Sequence, residues 1–104
     1  YYEIDDLSAD FPENFSIKQN FPNPFNPITS IEFNLYQNGH IQIAIYNVLG
    51  KLINVLADKY YLKGTHFLKW DGKNYNGKEV PSGVYSYRIS NSNKTLSKKM
   101  TLLR

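Results

Sequence analysis

Hydrophobic and polar residues alternate over most of the chain, in short runs separated by glycine, proline and asparagine. In ITSIEFNL, the side chains of Ile31, Phe33 and Leu35 alternate with polar ones, and the runs HIQIAIYN and VYSYRIS repeat this period of two, while THFLKW is interpreted as a further strand that ends at Trp70. A period of two is typical of a strand with one buried face. No stretch shows a convincing helical period, so the pattern predicts an all-β protein.

Turn residues divide these runs into about seven strands. Asn38-Gly39 is the dipeptide that best suits a two-residue hairpin, so we expect ITSIEFNL and HIQIAIYN to pair directly. Gly50 suits a turn with positive φ before KLINVLAD, which we interpret as a third antiparallel strand. A short helix is the alternative, and Gly50 counts against it. Short strands with turn signals every eight to twelve residues or so predict an antiparallel, immunoglobulin-like β-sandwich.

We expect this sandwich domain at residues 15–104 and an acidic linker, or the tail of a preceding domain, at residues 1–14. The first 14 residues hold five acidic side chains and no basic one, whereas the remainder holds twelve basic against four acidic, a formal charge of +8. Most lysines are scattered through turns and strand ends, and only Lys94, Lys98 and Lys99 lie close together in the sequence, so we expect no nucleic acid as a partner. No run of about 20 apolar residues predicts a transmembrane segment. Because the chain opens with Tyr-Tyr, we expect it to be the end of a longer protein.

The proline-rich segment NFPNPFNP, residues 20–27, suits neither a helix nor a central strand. Prolines lack the N–H group, hold φ near about −65° and push the preceding residue toward extended conformations. We expect the segment to carry the chain from one sheet to the other, while Phe21 and Phe25 close the end of the core. In this interpretation its backbone joins no ladder and protects an open sheet edge.

Residue types that carry catalysis are sparse. Cysteine is absent, and His40 and His66 stand in no metal-binding or triad spacing. We therefore expect neither an enzyme nor a cofactor.

The loop DGKNYNGKEVPSG, residues 71–83, is expected to be ordered, with at most a short edge pairing. It carries oxygen donors that suit calcium, but an EF-hand frame starting at Asp71 places Lys73 and Tyr75 at ligand positions. Capping of turns by Asx side chains explains the same residues without a metal.

Trp70 ends the strand that precedes this loop, and we expect its ring to form a lid on the core. The alternative is a sugar-binding platform of Trp70, Tyr75, Tyr60 and Tyr61.

Four longer motifs follow one another in a fixed order. They are QNFPNPFNPITSIEFNL, IQIAIYNVLGKLINVL, WDGKNYNGKEVPSGVYSYRI and the terminal KKMTLLR, and they span roughly residues 15–104. The set resembles the type A C-terminal sorting domain of type IX secretion cargo and the related immunoglobulin-like domain of flagellar hook-capping proteins. Tyr36 departs from the family, which often has proline there. To the following motif residues we assign structural roles, the glycines for positive φ or close approach: Asn23, Pro24, Phe25, Asn26, Pro27, Gly50, Trp70, Asp71, Gly72, Gly77, Ser82, Gly83 and Tyr85.

The resemblance implies a non-catalytic sorting signal that directs an exported cargo through the outer membrane, after transit through the periplasm. The implied partners are the outer-membrane type IX translocon, a cargo domain upstream in the same chain, and a sortase-like peptidase. This peptidase would cut within about residues 1–15 and attach the cargo to the cell surface or release it. The alternatives are an accessory β-sandwich of an extracellular enzyme, serving as a linker or carbohydrate binder, and an assembly domain like that of hook-capping proteins.

The terminal residues match the part of the family pattern most closely tied to export. We expect the last strand, residues 95–104, to be an edge whose main chain is open to strand addition. Its basic side chains are expected to steer docking to an acidic translocon surface. The alternative is that these lysines only protect an edge from aggregation. The residues assigned to translocon recognition are Lys98, Lys99, Met100, Leu102, Leu103 and Arg104.

Overall fold

The computed structural model describes residues 15–104, which form two antiparallel sheets. The strands are β1 Phe15–Ile17, β2 Thr29–Leu35, β3 Gly39–Asn47, β4 Leu52–Tyr61, β5 Gly64–Trp70, β6 Gly83–Ser90 and β7 Thr95–Leu102. One sheet has the order β1-β2-β5 and the other the order β4-β3-β6-β7. The predicted all-β sandwich is confirmed. The predicted acidic linker, residues 1–14, lies outside the described residues.

The core lies between the two sheets, because each strand turns alternate side chains toward the other sheet. The strands β2, β3 and β6 carry most of the buried apolar residues, as the period of two predicts. Among residues 15–104, no helix is long and apolar enough to span a bilayer. The fully buried large side chains are Trp70, Tyr87, Phe15, Phe25, Phe33, Ile31, Ile41, Ile43, Ile45, Ile89, Met100 and Leu102.

The predicted hairpin between β2 and β3 is wrong. β2 pairs with β1 and β5, whereas β3 pairs with β4 and β6 in the opposite sheet. The chain therefore crosses between the sheets at residues 36–38. Gly39 is not among the glycines with positive φ. Instead of supporting a tight turn, Asn38 accepts a hydrogen bond from the main-chain N–H of Lys63 through Oδ1, at 2.8 Å.

The turn between β3 and β4 has the predicted form. Gly50 has φ 83°, and its N–H donates to the carbonyl of Asn47 at 2.9 Å. The Asn47 N–H donates to the Lys51 carbonyl at 2.9 Å, which closes the hairpin. β4 then runs antiparallel to β3 as far as Tyr61, so the strand interpretation of KLINVLAD is confirmed and the helical alternative is wrong.

Candidate recognition surface

The proline-rich segment joins two strands of the same sheet, because β1 and β2 are neighbours, so the predicted change of sheet is wrong. Where its residues are not proline and so keep an N–H group, the segment also forms main-chain hydrogen bonds. Phe21 and Ser30 exchange two main-chain hydrogen bonds of 2.9 Å. The Phe21 ring is 79% exposed, which contradicts its predicted burial, whereas the Phe25 ring is 2% exposed and closes the core as predicted. The other motif residues here, Asn23, Pro24, Asn26 and Pro27, are exposed.

Phe25 bridges the proline-rich segment to β7 of the opposite sheet. Its N–H donates to the Thr101 carbonyl at 3.0 Å, and its carbonyl accepts from the Leu103 N–H at 2.9 Å. Next to this bridge, Asn23 Oδ1 accepts a hydrogen bond from the Thr101 N–H at 3.0 Å. The segment thus acts as a short parallel partner for the end of β7.

β7 is an edge strand of its sheet, as predicted, but only part of that edge is open. Gln19 Nε2 donates to the Lys99 carbonyl at 2.7 Å, which extends the covered stretch from Leu103 back to Lys99. The Lys99 carbonyl, both main-chain groups of Thr101 and the Leu103 N–H are therefore already paired and cannot bond to an added strand. The expectation that the whole edge accepts an added strand is therefore wrong.

Arg104 folds back onto the loop that precedes β6. Its Nε donates to the Val80 carbonyl at 2.6 Å, and its Nη2 donates to the Gly72 carbonyl at 2.5 Å. Its main-chain N–H donates to Ser82 Oγ at 2.8 Å. Hydrogen bonds from a charged donor are stronger than neutral ones. Arg104 therefore fastens the end of the chain to the loop, and its side chain is 24% exposed.

Gly72 meets both conditions that we expected of the motif glycines. It has φ 74°, and an added Cβ would lie 2.8 Å from Arg104 Nη2 and 3.4 Å from the Pro27 carbonyl oxygen. Gly77 has φ 80° but open space around the Cβ position. Gly83, at φ 159°, is close to ordinary extended backbone. At Gly72, the loop thus lies close to both the proline-rich segment and the end of the chain at Arg104.

Trp70 is buried under the same surface, with 1% exposure, so the predicted lid on the core is confirmed. Its ring centroid lies 5.7 Å from that of Phe25 and 5.4 Å from that of Tyr85, both in tilted or edge contacts. Its Nε1 donates to the Lys73 carbonyl at 2.9 Å. The Tyr85 hydroxyl donates to the Pro81 carbonyl at 2.7 Å, and burial raises the pKa of this hydroxyl.

A buried polar cluster supports the start of the proline-rich segment, and the sequence analysis missed it. Asn20, 2% exposed, donates its N–H to the Tyr87 hydroxyl at 2.8 Å and its Nδ2 to Thr29 Oγ1 at 2.9 Å. The Tyr87 hydroxyl donates in turn to the Lys18 carbonyl at 2.6 Å. Thr29 Oγ1 donates to the Pro22 carbonyl at 2.8 Å. The only sequence signal was the position of Asn20 at the head of NFPNPFNP.

The terminal residues assigned to recognition fall into distinct environments. Met100 and Leu102 are buried, with 1% and 0% exposure, whereas Leu103 is 52% exposed. The alternation of β7 places Lys98 on the half-buried, core-facing side and Lys99 on the exposed outer side. The two lysines therefore form no common patch.

Side-chain oxygens of the loop 71–83 cap turns, as the Asx interpretation predicts. Asn74 Oδ1 accepts from the N–H groups of Asn76 and Lys78, at 2.9 and 3.0 Å. Asp71 Oδ1 accepts from the Lys73 N–H at 3.2 Å. Within the described part of the chain, no group of three or more His, Cys, Asp or Glu side chains is placed to hold a metal ion.

The sugar-binding alternative loses its central residue, because the Trp70 ring lies in the core. Tyr61 is also buried, at 8% exposure, and only Tyr60 and Tyr75 of this set are exposed.

The two histidines lie apart from each other. His40 Nε2 contacts Asp58 Oδ1 at 2.5 Å on β3 and β4, and His66 Nε2 contacts the Leu62 carbonyl at 2.7 Å.

The family model of the secretion system C-terminal sorting domain matches residues 19–102. The match covers most of the chain, so the protein belongs to this family, as its motifs predicted. Membership supports a role as a secretion sorting signal and implies interaction with the secretion system and export to the cell surface or extracellular space. Sorting domains of this family are in general non-catalytic. No curated protein matches the chain.

Solved structures share the fold at low sequence identity. The chain is similar to part of dimeric latent PorU from Porphyromonas gingivalis, with 21% identity, 86% of this chain and 9% of that chain covered, and a TM-score of 0.70. PorZ, described as an essential surface component of the type IX secretion system of the same organism, gives 21% identity, 93% and 12% coverage, and a TM-score of 0.57. FlgD from P. aeruginosa gives 19% identity, with 84% of this chain and 70% of that chain covered, and a TM-score of 0.58. The chain thus spans about a tenth of PorU and PorZ.

Proposed function

We propose that this domain directs a cargo, carried upstream in the same chain, through the outer membrane by the type IX secretion system. We further propose that the translocon recognises a folded surface rather than a linear tail. This C-terminal surface consists of the proline-rich segment 20–27, the loop 71–83 and the terminal residues 98–104. The observation that carries the proposal is the family match over residues 19–102, which includes nearly all of these three segments.

In this proposal the terminal residues have two different roles, anchoring the strand and contacting the translocon. Met100 and Leu102 anchor the strand in the core, and Arg104 fastens its end to the loop. This arrangement leaves Lys99 and Leu103 as the exposed side chains for direct contact with the translocon. A surface that is already ordered loses little conformational entropy on binding, which favours affinity. Lys99 also supplies positive charge to steer an acidic partner.

The later steps follow the family resemblance. We propose that the cargo crosses the periplasm and that a sortase-like peptidase then cuts upstream of the sandwich, within about residues 1–15. The cargo is afterwards attached to the cell surface or released. Strand β1 begins at Phe15, so a cut in this region separates the cargo without removing any described strand.

Export of a reporter fused to residues 1–104 tests the recognition surface. Lys99→Glu and Leu103→Asp change exposed side chains only, and we expect each to lower the exported fraction several-fold while leaving thermal stability unchanged. Lys69→Glu is the matched control, because Lys69 is an exposed lysine on β5 of the other sheet. Full export of both folded variants would contradict recognition through this surface. Mass spectrometry of the exported reporter would locate the cut.

A further inference from the structure

The turn between β3 and β4 exposes two apolar side chains. Val48 is 79% exposed and Leu49 is 88% exposed, the highest value of any large apolar residue between positions 15 and 104. Turns usually carry glycine, proline or short polar residues, which supply the turn geometry or its hydrogen bonds. The connection between β6 and β7 follows this rule with Asn91, Ser92 and Asn93. Val48 and Leu49 are thus an exception that packing of the core does not explain.

Hydrogen bonds hold this turn in one conformation. Asn47 Oδ1 accepts from the N–H groups of Leu49 and Lys51, at 3.0 and 2.9 Å. The Asn47 N–H donates to the Lys51 carbonyl, and its carbonyl accepts from the Gly50 N–H, both at 2.9 Å. Because the turn is already ordered, placing its two apolar side chains in a new environment costs little conformational entropy.

The apolar surface continues from the turn onto the outer face of the four-stranded sheet. Ile45 points into the core, so its neighbour Tyr46 lies on the outer face, and Leu52 lies opposite Tyr46 on β4. Val84 lies on the same face of β6, because the next residue, Tyr85, is buried. Leu52 and Val84 are both exposed, so the turn and the adjoining part of the sheet form one apolar surface.

Three cations flank this surface. Lys51 directly follows the turn, and Arg88 stacks on Tyr46, with its guanidinium carbon 3.9 Å from the ring centroid. Lys99 lies on the same face of β7, in register with Ser86, which in turn lies opposite Tyr46. Among residues 15–104, none of the three cations has an ion-pair partner.

Negative charge is sparse on the same face. The four strands of this sheet carry one acidic residue, Asp58, which lies toward the far end of β4 and contacts His40. The adjoining loop 71–83 contains two lysines and two acidic residues, so its formal charges cancel. The end of the sheet that bears the turn therefore combines exposed apolar side chains with a net positive charge.

We propose that this turn inserts into the interface of a lipid bilayer with anionic headgroups. Val48 and Leu49 enter the boundary between headgroups and acyl chains, while Lys51, Arg88 and Lys99 contact the headgroups. Binding of this kind grows with the apolar area buried and with the attraction of basic residues to anionic lipid. A bilayer fits better than a protein partner, because a stable protein interface takes roughly 20–30 residues from each side. The inference does not depend on the sorting function.

Sedimentation of the 104-residue chain with lipid vesicles tests the proposal. We expect the chain to bind vesicles of phosphatidylcholine mixed with phosphatidylglycerol at about 0.1 M salt. Binding should be at least about tenfold weaker to vesicles of pure phosphatidylcholine, which lack the anionic headgroups. It should weaken similarly at about 1 M salt, which screens the attraction.

Paired variants separate the apolar contribution from a general surface effect. Val48→Ser combined with Leu49→Ser removes the apolar side chains without changing the charge, and should weaken binding at least about tenfold. Phe67→Ser is the matched control, because Phe67 is an exposed apolar residue on β5 of the other sheet, and it should leave binding unchanged.

A second pair of variants tests the contribution of charge. Lys51→Gln combined with Arg88→Gln should weaken binding to the mixed vesicles about tenfold, because two cations near the headgroups are lost. Lys69→Gln, which removes an exposed lysine of β5, should have no effect.

A fluorescent label reports insertion directly. The sequence has no cysteine, so Leu49→Cys carries an environment-sensitive label at one position. With the mixed vesicles its emission should shift to shorter wavelength and be quenched by lipids with a quencher on the acyl chain. A label on Thr65→Cys, on β5, should show neither change.

Three results would overturn the proposal. They are no binding to the mixed vesicles, equal binding by the double serine variant, and a label at position 49 that stays in water while the chain is bound. A shift of that label without vesicles, growing with protein concentration, would show that the turn contacts a second copy of the chain, and would also overturn insertion into lipid.

Discussion

The guanidinium group of Arg104 donates a hydrogen bond of 2.5 Å to the carbonyl of Gly72, although 32 positions separate the two residues. The contact is possible because Gly72 has no side chain. A Cβ at this position would lie 2.8 Å from Arg104 Nη2. Arg104, which the sequence pattern assigned to translocon recognition, is thus a fixed part of the folded surface.

Gly72→Ala should therefore destabilise the domain by about 1–3 kcal/mol, through the left-handed backbone and the displaced Arg104 side chain. Gly77→Ala is the matched control, because Gly77 has a similar φ of 80° with nothing within 4 Å of the Cβ position. Urea denaturation of both variants measures the difference. Equal losses would show that the contact with Arg104 contributes nothing to stability.

Phe25→Ala should lower the free energy of unfolding by about 3–5 kcal/mol, because it removes a buried ring and leaves a cavity beside Trp70. Phe21→Ala provides the comparison within the same motif. The Phe21 ring is 79% exposed, so we expect a change within about 0.5 kcal/mol. Chemical denaturation distinguishes the two. A small loss for Phe25→Ala would contradict its role in closing the core.

Tyr87→Phe should cost about 1–3 kcal/mol, because it leaves the buried N–H of Asn20 without its acceptor. Tyr61→Phe removes a hydroxyl that is buried with no hydrogen-bond partner among the described residues. That variant should be neutral or slightly more stable, since an unpaired polar group is lost. Thermal or urea denaturation of the pair tests the assignment, and a larger loss for Tyr61→Phe would overturn it.

Burial raises the pKa of Tyr87 from 10.0 to about 12, opposed in part by its hydrogen bond with the Asn20 main chain. The folded state thus favours the neutral phenol. The resulting stabilisation is fully present below pH 10 and is lost as the pH rises toward 12. Between about pH 10 and pH 12, stability should therefore fall more steeply in the native sequence than in Tyr87→Phe. Parallel curves for the two proteins would contradict this.

The sequence predicted the strands and the sandwich, but not how the strands divide between sheets. Ile31 to Leu35 and Ile41 to Ile45 show the same alternation, because strands in facing sheets also turn one side to a shared core. The pattern is therefore equally compatible with a hairpin and with a crossing between sheets. The Asn38-Gly39 dipeptide favoured the hairpin, but in the structure β2 lies between β1 and β5.

The motif residues at the C-terminal surface were singled out from the sequence for structural roles, but their contacts were not predicted. The order of the motifs pointed to Phe25, Trp70, Gly72 and Tyr85, all of which meet at one end of the sandwich. Local sequence did not show that Phe21 is exposed, because both phenylalanines lie beside prolines. It also did not show where Arg104 binds. Its acceptors are main-chain carbonyls of a distant loop, and because every residue carries such a carbonyl, residue type does not identify them.

The most direct test of the sorting function is the fate of a reporter in two strains. A fluorescent protein with a periplasmic signal peptide and residues 1–104 at its C-terminus is expressed in a host with a working type IX system and in an isogenic translocon mutant. We expect reporter at the surface or in the medium of the first strain only, with the sandwich domain removed. Reporter retained in the periplasm of both strains, while a control cargo is exported, would contradict the account.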